Sequence, residues 1–383
     1  MRIALVSPSF LPDVGGAEFV THNLAQTWGE QGHEVRVLNW VTDRATHPEA
    51  TYTVRKFRLL RGAPRFGYHR FPFVQYTVRE IERLLAEFEP DFVSGHMGYP
   101  TGPYLARCRP RPPYVLTCHG RDLTHFDWGY RNQYHSDAPM RRAIEQSLGV
   151  IAISTFAHRL LVELGVTPEK IHDIPNGVDL GRFRRDVPFD ARRAVGIPQD
   201  VPLVLSVGRE HPQKAFAAGI RAFARVVRRN RDVHYLILGK GTDVHQALIE
   251  SLGLADRVRT HPGLQGDELV AAYRQSDVYF SPSIWEMMPL VVLESMAAGL
   301  PSVVTDVSGS QDLVVDGRTG FIVQPGDEDA MAERLLALID DDALRGELAR
   351  ATAIRVDDYG WDRIARRYLE IAGTAPRATD SPS

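Results

Sequence analysis

Short apolar runs alternate with longer amphipathic stretches along most of the chain. The runs have the length and the Val, Ile and Leu content of buried strands, and the stretches between them have helical spacing. Strands that alternate with helices favour parallel sheets with right-handed crossovers. The pattern therefore predicts an α/β protein made of two Rossmann-like halves, with strands at 3–7, 33–40, 91–96, 114–119 and 149–154, and then at 202–208, 233–239, 278–283 and 301–306.

The length of 383 residues also favours two domains, since single cores stop growing near ~250–300 residues. The segment 183–200 is charged and proline-containing, which is typical of a linker. The pattern predicts an N-terminal domain at 1–185 and a C-terminal domain at 186–359. An amphipathic helix is predicted at 360–373 and a polar, disordered tail at 374–383.

Composition narrows the function classes. Hydrophobic residues make up 44% of the chain, charged residues 24%, and the formal net charge is −3, so bulk nucleic-acid binding is not expected. The two cysteines, Cys108 and Cys118, have no metal-ligand spacing and predict no disulfide framework, which favours a reducing cytoplasm. No apolar run reaches the ~20 residues of a membrane span, and the first apolar run is too short for a signal peptide.

Two glutamates flank an apolar run in the segment 283–306. Pro289 suits a helix start and Gly299 a helix end, so Glu286 falls in the loop after a strand and Glu294 inside the helix. A helix N-terminus at a strand end attracts phosphates, while carboxylates accept hydrogen bonds from sugar hydroxyls. From spacing alone, a loop glutamate and a charge on the helix face are the simpler explanation of the pair.

A second strand-end loop supplies positive charge. Arg209 and Lys214 stand five residues apart in the loop 207–216, which opens a helix. Arginine binds phosphate bidentately and lysine acts as a point charge, so the loop suits a pyrophosphate. A solvated loop remains the alternative.

Six motifs follow one another in an order that resembles glycosyltransferase family 4. This family has two Rossmann-like domains facing a cleft, the GT-B architecture, with a last helix that crosses back to the N-terminal domain. The resemblance runs from about residue 3 to residue 370. It rests on G-G-A-E (15–18), T-C-H-G-R-D (117–122), I-P-N-G-V-D (174–179), V-G-R…K (207–214), L-G-K-G (238–241) and E-x7-E (286–294).

The resemblance implies a donor site in the C-terminal half. Glu286 would contact hydroxyls of the transferred sugar, and Glu294 would bind the ribose of the donor nucleotide. Arg209 and Lys214 would hold the diphosphate and stabilise it as it leaves. Recognition of the base is expected near 261–264.

In the N-terminal half, the resemblance implies that Gly15 and Gly16 let the backbone approach the phosphates and the acceptor. His119 would lie beside the reacting sugar, and Asp122 is a weaker acceptor-binding candidate in the same loop. Asn176 and Gly177 are expected to shape the turn toward the linker.

The sequence departs from the family pattern near the predicted phosphate site. The usual Gly-Phe-Gly after the first glutamate is Met287-Met288-Pro289, so Met288 would contribute to the donor site and Leu290 would be the first backbone donor of the helix. The glycine expected after the lysine is Ala215.

The resemblance implies transfer of a sugar from a nucleotide-diphosphate sugar to an acceptor hydroxyl, with retention at the anomeric carbon. Uridine is the first expectation for the nucleotide base and guanosine the second. No cofactor and no metal are expected, because the acids of 327–329 are better explained as N-terminal helix acids. A sugar-nucleotide 2-epimerase of similar architecture and a non-catalytic nucleotide-sugar binder stay open as alternatives. A nicotinamide oxidoreductase is disfavoured, because Val244 occupies the third glycine position of the G-x-G-x-x-G fingerprint.

The stretch 55–76 is basic and aromatic and contains no acid. It suits acceptor binding, with Arg61, Arg65 and Arg70 as candidates, or contact with the inner membrane face by an otherwise cytoplasmic protein. A strand and loop with a solvated basic face is the simpler interpretation. The acceptor could be a glycan, a lipid or a small natural product.

Overall fold

A computed structural model describes residues 1–13, 15–45, 48–60, 67–125, 129–230 and 232–373. The chain divides into two compact units. Unit 1 holds Met1–Asn176 together with the chain from Trp361 onward, and unit 2 holds Gly177–Gly360. The change of unit therefore falls earlier than residue 185, and the tail predicted at 374–383 lies outside the described residues.

Unit 1 is built on a parallel sheet. Among the described residues it has seven strands, in the spatial order β3-β2-β1-β4-β5-β6-β7. Their apolar residues are buried because helices cover both faces of such a sheet. The strands are β1 Arg2–Val6, β2 Glu34–Asn39, β3 Thr53–Lys56, β4 Phe92–His96, β5 Tyr114–Cys118, β6 Gly149–Ala152 and β7 Ile171–Asp173.

Helices connect these strands. Ser154 shows why one of them begins where it does, because its hydroxyl accepts the backbone N–H of Ala157 as an N-cap. A short 3-10 turn lies at Pro168–Lys170. The helices are α1 Gly16–Glu30, α2 Phe73–Phe88, α3 Gly98–Leu105, α4 Tyr130–Tyr134, α5 Asp137–Glu145 and α6 Thr155–Glu163.

Unit 2 repeats the plan with a second parallel sheet. Its order over the described residues is β10-β9-β8-β11-β12-β13. The strands are β8 Leu203–Val207, β9 His234–Leu238, β10 Val258–His261, β11 Val278–Ser281, β12 Ser302–Thr305 and β13 Gly320–Val323.

The helices of unit 2 bury a core against that sheet. Val204, Tyr235 and Phe280 from the strands meet Ile220 and Leu335 from two helices, and all five are fully buried. Three 3-10 turns lie at Pro212–Lys214, Thr242–His245 and Val356–Tyr359. The helices are α7 Leu180–Arg184, α8 Ala191–Ala194, α9 Phe216–Arg229, α10 Gln246–Ser251, α11 Gly266–Arg274, α12 Leu290–Ala297, α13 Ser308–Leu313, α14 Glu328–Asp340 and α15 Asp342–Arg355.

The last helix, α16 Trp361–Ala372, belongs to unit 1 although it follows unit 2 in the chain. It packs on α1, where Trp28 Nε1 donates to the carbonyl of Ala365 at 3.1 Å. The Trp28 ring meets Tyr368 edge-on, and the Tyr368 hydroxyl lies 3.1 Å from Thr117 Oγ1 in β5. The predicted helix that crosses back to the N-terminal domain is therefore confirmed.

Each of the nine predicted strands is present, with its ends moved by a residue or two. The four strands that the pattern missed are β3, β7, β10 and β13, which are the edge strands of the two sheets. They are only three or four residues long. Strands β3, β7 and β10 are also partly solvated and lack the apolar run that marks a buried strand, whereas β13 is apolar but short. Within the described ranges, no helix has both the length and the apolar character that a membrane crossing needs.

Candidate functional site

The order of the strands locates the sheet edge where a ligand is expected in each unit. In unit 2 the chain order reverses between the neighbours β8 and β11, and in unit 1 between β1 and β4. Ligands of doubly wound sheets bind outside the carboxyl ends of the strands at such a reversal. The loops after β1, β8 and β11 carry Gly15, Arg209, Lys214 and Glu286, which the sequence analysis had singled out.

Glu286 is held on both carboxylate oxygens by neighbouring loops of unit 2. Its Oε1 lies 2.7 Å from Lys214 Nζ and accepts the Ser283 hydroxyl at 2.9 Å, while its Oε2 accepts Gln213 Nε2 at 3.3 Å. The residue is 6% exposed. A carboxylate offers about four lone-pair directions, so these contacts fix its orientation and leave room for a further donor such as a sugar hydroxyl.

The backbone after Glu286 lies directly against the start of α13. The N–H of Gly309 donates to the Glu286 carbonyl at 3.3 Å, and a Cβ on Gly309 would stand 2.2 Å from the carbonyl oxygen of Met287. Only glycine permits this approach. Met288 follows and is buried at 6% exposure. No motif in the sequence indicated Gly309, although a glycine just after a strand end is a signal of such a close approach.

Helix α12 begins at Leu290, as predicted. Pro289 is the N-cap rather than the first helical residue, and its carbonyl accepts the N–H groups of Val292 and Leu293. Leu290 is therefore the first residue of the helix with an N–H to offer. Gly299, at φ +80°, follows the C-cap as predicted.

Glu294 lies on α12 beside groups that no motif had indicated. Its Oε2 accepts the hydroxyl of Tyr273 at 2.8 Å, and Tyr273 on α11 is fully buried. Desolvation raises the pKa of Glu294, while the Tyr273 hydrogen bond and the positive charge of Arg182 lower it. Arg182 also donates to the carbonyl of Gly266 at 3.4 Å. A carboxylate supported in this way can present its other oxygen to a ligand hydroxyl.

The loop after β8 presents its two predicted cations differently. Arg209 is exposed, and its guanidinium makes no hydrogen bond or ion pair with the described residues, whereas Lys214 is turned onto Glu286. Ala215, where the family pattern has glycine, sits at φ +48° and ψ +35° between the 3-10 turn and α9. This left-handed conformation explains the family's glycine, because it strains any residue with a Cβ.

The predicted base-recognition segment 261–264 begins at the last residue of β10. The carbonyl of His261 accepts the N–H of Gly239 at 2.8 Å, and the ring Nδ1 of His261 accepts the N–H of Gly263 at 3.3 Å. The segment thus lies at the same carboxyl edge as the acidic and basic groups.

In unit 1, Gly15 and Gly16 stand where the loop after β1 enters α1. Gly15 is the N-cap, its backbone is extended, and its carbonyl accepts the N–H of Phe19 at 3.2 Å. A Cβ on Gly15 would meet the flexible end of Glu18. The two glycines thus add no side chain of their own at the start of this 15-residue helix, and the end of Glu18 lies beside Gly15.

His119 lies at the end of β5 in a histidine pair. Its Nε2 is 3.0 Å from Nδ1 of His96, and the two ring planes are 18° apart. Nε2 of His96 lies in turn 3.2 Å from the Ser94 hydroxyl. Burial lowers the pKa of His119 to about 4, and burial together with the neighbouring His119 lowers the pKa of His96 well below its ordinary value. Both rings are therefore neutral near neutral pH.

Asp122 anchors the loop that carries His119. One carboxylate oxygen accepts the N–H groups of His119 and Gly120 at 3.0 and 2.9 Å, and the other accepts the N–H of Gly98 at 2.6 Å. Asp122 is fully buried. This geometry gives the carboxylate a structural task and leaves it no exposed surface for an acceptor.

The basic and aromatic stretch 55–76 is described in part, and Arg61 and Arg65 lie outside the described residues. Arg70 is exposed and precedes Phe71, a large apolar side chain with 74% exposure. Nearby, Tyr68 stacks on Trp40 with ring centroids 5.4 Å apart.

The acids of 327–329 cap and tether a helix. Asp327 accepts the N–H of Ala330 at the start of α14, and Glu328 pairs with Arg221 and Arg225 of α9. In the part of the chain that the structure describes, no group of three or more His, Cys, Asp or Glu side chains is arranged to hold a metal ion.

Two doubly wound parallel sheets, each with polar groups at its reversal point, make up the GT-B architecture. Solved structures show the same fold. A sucrose-phosphate synthase from Thermosynechococcus elongatus matches with a TM-score of 0.79 at 21% identity, over 97% of this chain and 98% of that one. Anabaena HepE in complex with UDP matches with a TM-score of 0.78 at 20% identity, over 98% and 100%.

Sequence comparisons identify the family. The model described as Glycosyltransferase Family 4 matches residues 14–182, and the model described as Glycosyl transferases group 1 matches residues 189–355. A phosphatidyl-myo-inositol mannosyltransferase of Mycolicibacterium smegmatis is 31% identical over 99% of this chain and 95% of its own length. A D-inositol 3-phosphate glycosyltransferase of Nocardia farcinica is 32% identical over 98% and 89%. The chain belongs to glycosyltransferase family 4.

Proposed function

We propose that this glycosyltransferase moves a sugar from a nucleotide-diphosphate sugar to an acceptor hydroxyl, with retention of configuration at the anomeric carbon. The observation that carries the proposal is the arrangement at the reversal point of unit 2. There Glu286 is fixed by Lys214 just before α12, and Glu294 lies within that same helix.

The candidate side chains of unit 2 each have a proposed contact with the nucleotide-diphosphate sugar that suits their chemistry. The free oxygen of Glu294 accepts a ribose hydroxyl, and Glu286 accepts hydroxyls of the transferred sugar. The exposed Arg209 binds the diphosphate, with the N–H of Leu290 and the backbone of Met288 beside it. An ammonium has three N–H donors, so Lys214 can hold Glu286 and a phosphate oxygen together.

In the proposed reaction the bond between the anomeric carbon and the diphosphate oxygen breaks, and a bond from that carbon to the acceptor oxygen forms on the same face. The acceptor's proton passes to the leaving diphosphate. Arg209 and Lys214 stabilise the negative charge that develops there, which is the kind of electrostatic contribution that usually dominates. Because these cations belong to the chain, we expect transfer to persist in the presence of a chelator.

Unit 1 contributes the acceptor-side groups in this proposal. Gly15 and Gly16 let backbone approach a ligand, His119 contacts the reacting sugar, and Arg65 and Arg70 bind the acceptor. The acceptor is a polyol or sugar hydroxyl on a lipid, a glycan or a small natural product. Inositol compounds are the first to test, because two similar proteins carry inositol in their names. Mannose is the first sugar to test for the same reason.

The deciding experiment measures nucleoside diphosphate release with and without candidate acceptors. We expect release to depend on the acceptor, with uridine sugars tested first and guanosine sugars second, and the anomeric proton coupling of the product to match that of the donor. An epimerase would alter the sugar without an acceptor, and a binder would release nothing. Lys214→Ala should abolish release. The control is Lys170→Ala, which should not abolish it, because the Lys170 ammonium donates to the carbonyl of Ser147 in unit 1.

A further inference from the structure

Ser94, His96 and His119 form a continuous hydrogen-bonded row along the carboxyl ends of β4 and β5. The Ser94 hydroxyl lies 3.2 Å from Nε2 of His96, and Nδ1 of His96 lies 3.0 Å from Nε2 of His119. Ser94 and His96 are both 0% exposed, while His119 is only partly buried. The row therefore leads from the interior of unit 1 to a residue that a ligand can reach.

Two proton arrangements fit these distances when both rings are neutral. In the first, Ser94 donates to His96, His96 donates from Nδ1 to His119, and His119 carries its own proton on Nδ1. In the second, every hydrogen bond is reversed, His119 donates from Nε2, and the proton of the Ser94 hydroxyl is left without an acceptor. A hydroxyl can play either part, so the choice depends on what else Ser94 contacts.

Ser94 decides between the two arrangements. Within the described residues its hydroxyl contacts no polar group other than His96. The reversed arrangement would therefore bury an unpaired O–H donor, which carries a substantial free-energy cost. The forward arrangement satisfies every buried donor of the row and leaves only Nδ1 of His119 without a partner among those residues.

We infer that Ser94 and His96 are positioning residues that hold His119 as a neutral imidazole protonated on Nδ1. His119 then offers a ligand an N–H donor rather than a lone pair or a full positive charge. This inference deepens the proposed function and rests on it, since the oxygen that accepts the hydrogen bond would belong to the donor sugar or the acceptor. The carboxylate of Asp122 does not compete for the proton on Nδ1 of His119, because both its oxygens accept backbone N–H groups.

Burial keeps the row in its neutral form. Desolvation lowers the pKa of His119 to about 4, and desolvation and His119 lower the pKa of His96 well below its ordinary value. A second proton on His119 would place two donors against each other between Nδ1 of His96 and Nε2 of His119. A second proton on His96 would instead fall on Nε2, opposite the Ser94 hydroxyl. Neutrality of His119 is thus a condition of the hydrogen bond between the two rings.

The tautomer can be measured directly in the full-length protein without any substrate. Histidine labelled with 15N is observed near neutral pH by long-range 1H–15N correlation, and His119 is assigned with a His119→Asn variant. We expect a single neutral form with the proton on Nδ1 in wild type, and a mixture with Nε2 protonated in Ser94→Ala. A proton on Nε2 in wild type, or an unchanged tautomer in Ser94→Ala, would overturn the inference.

Matched variants separate this role from general packing. Ser136→Ala removes a fully buried hydroxyl of unit 1 that has no hydrogen-bond partner among the described residues, so it should leave the His119 signal unchanged. Ser94→Thr keeps the hydroxyl and should restore the wild-type tautomer.

Kinetics then test whether the tautomer matters for transfer. We expect kcat to fall about fivefold in Ser94→Ala, the size of one hydrogen bond, with the donor KM unchanged and with recovery in Ser94→Thr. An altered tautomer with unchanged kcat would overturn the positioning role. If no transfer activity exists, the proposed function fails, while the tautomer measurement still decides how the row is protonated.

Discussion

Lys214 Nζ lies 2.7 Å from Oε1 of Glu286, so the cation and the carboxylate that the sequence assigns to different parts of one donor are ion-paired with each other. Both side chains are mostly buried, with 18% and 7% exposure. The pair fixes Glu286 and places positive charge at the reversal point of the sheet. In the proposed function, Lys214 and Glu286 would contact the donor while paired with each other.

The ion pair should give a clear thermodynamic coupling. Lys214→Met or Glu286→Gln alone removes one partner of a buried interaction, and each should lower the free energy of unfolding of unit 2 by about 1–3 kcal/mol. The double variant should cost less than the sum of the two, because no unpaired charge remains. Chemical denaturation of the four proteins measures the coupling. If the losses of the two single variants add up to the loss of the double variant, the contact between Lys214 and Glu286 contributes nothing to the free energy of unfolding.

Tyr273 should control the pH dependence of nucleotide binding. Its hydrogen bond lowers the pKa of Glu294, so Tyr273→Phe should raise that pKa further above its ordinary value. A ribose hydroxyl needs the carboxylate form as acceptor, and affinity is lost as the pH falls through the pKa of Glu294. The loss should therefore occur at higher pH in the variant, as measured by calorimetric titration across the acid range. An identical pH profile would separate Glu294 from nucleotide binding.

Gly309 should be intolerant of a methyl group. In Gly309→Ala the new Cβ would lie 2.2 Å from the carbonyl oxygen of Met287, so the segment after Glu286 must shift. We expect a loss of about 1–3 kcal/mol in the free energy of unfolding and weaker nucleotide binding. Gly346→Ala in α15 is the matched control, because its Cβ would meet only Arg350 at 3.5 Å and should stabilise by about 0.5–1 kcal/mol. Equal effects of the two substitutions would contradict the close approach.

Ala215 stores strain that glycine would relieve. The left-handed conformation at φ +48° costs an alanine about 1–2 kcal/mol, and the greater freedom of glycine in the unfolded chain offsets part of the gain. We expect Ala215→Gly to raise the free energy of unfolding by about 0.5–1 kcal/mol. The same change at Ala337, inside α14, should lower it by about 1 kcal/mol. Thermal and chemical unfolding of both variants test the difference in sign.

The sequence predicted the parts of this protein that depend on local pattern. Buried central strands are apolar runs, and the boundaries of α12 followed from Pro289 and Gly299. Arg209, Lys214, Glu286 and Glu294 lie on loops and a helix at the predicted edge because parallel strands bring their carboxyl ends together.

What the sequence did not predict depends on contacts between distant segments. Tyr273 supports Glu294 from another helix, and Gly309 supports Met287 from the next strand end. His96 belongs to no motif that was singled out, and its importance follows only from the neighbouring register of β4 and β5. The pairing of Lys214 with Glu286 likewise needed the order of β8 and β11.

The central claim is that α12 and its flanking loops form a nucleotide-sugar donor site. Calorimetric titration of uridine and guanosine diphosphates into metal-free wild type, Glu294→Ala and the surface control Glu333→Ala tests it most directly. We predict that one nucleotide binds wild type and Glu333→Ala equally, and binds Glu294→Ala at least about tenfold more weakly, or ~1.4 kcal/mol. If neither nucleotide binds, or if Glu294→Ala binds as well as wild type, the donor site does not lie where we propose.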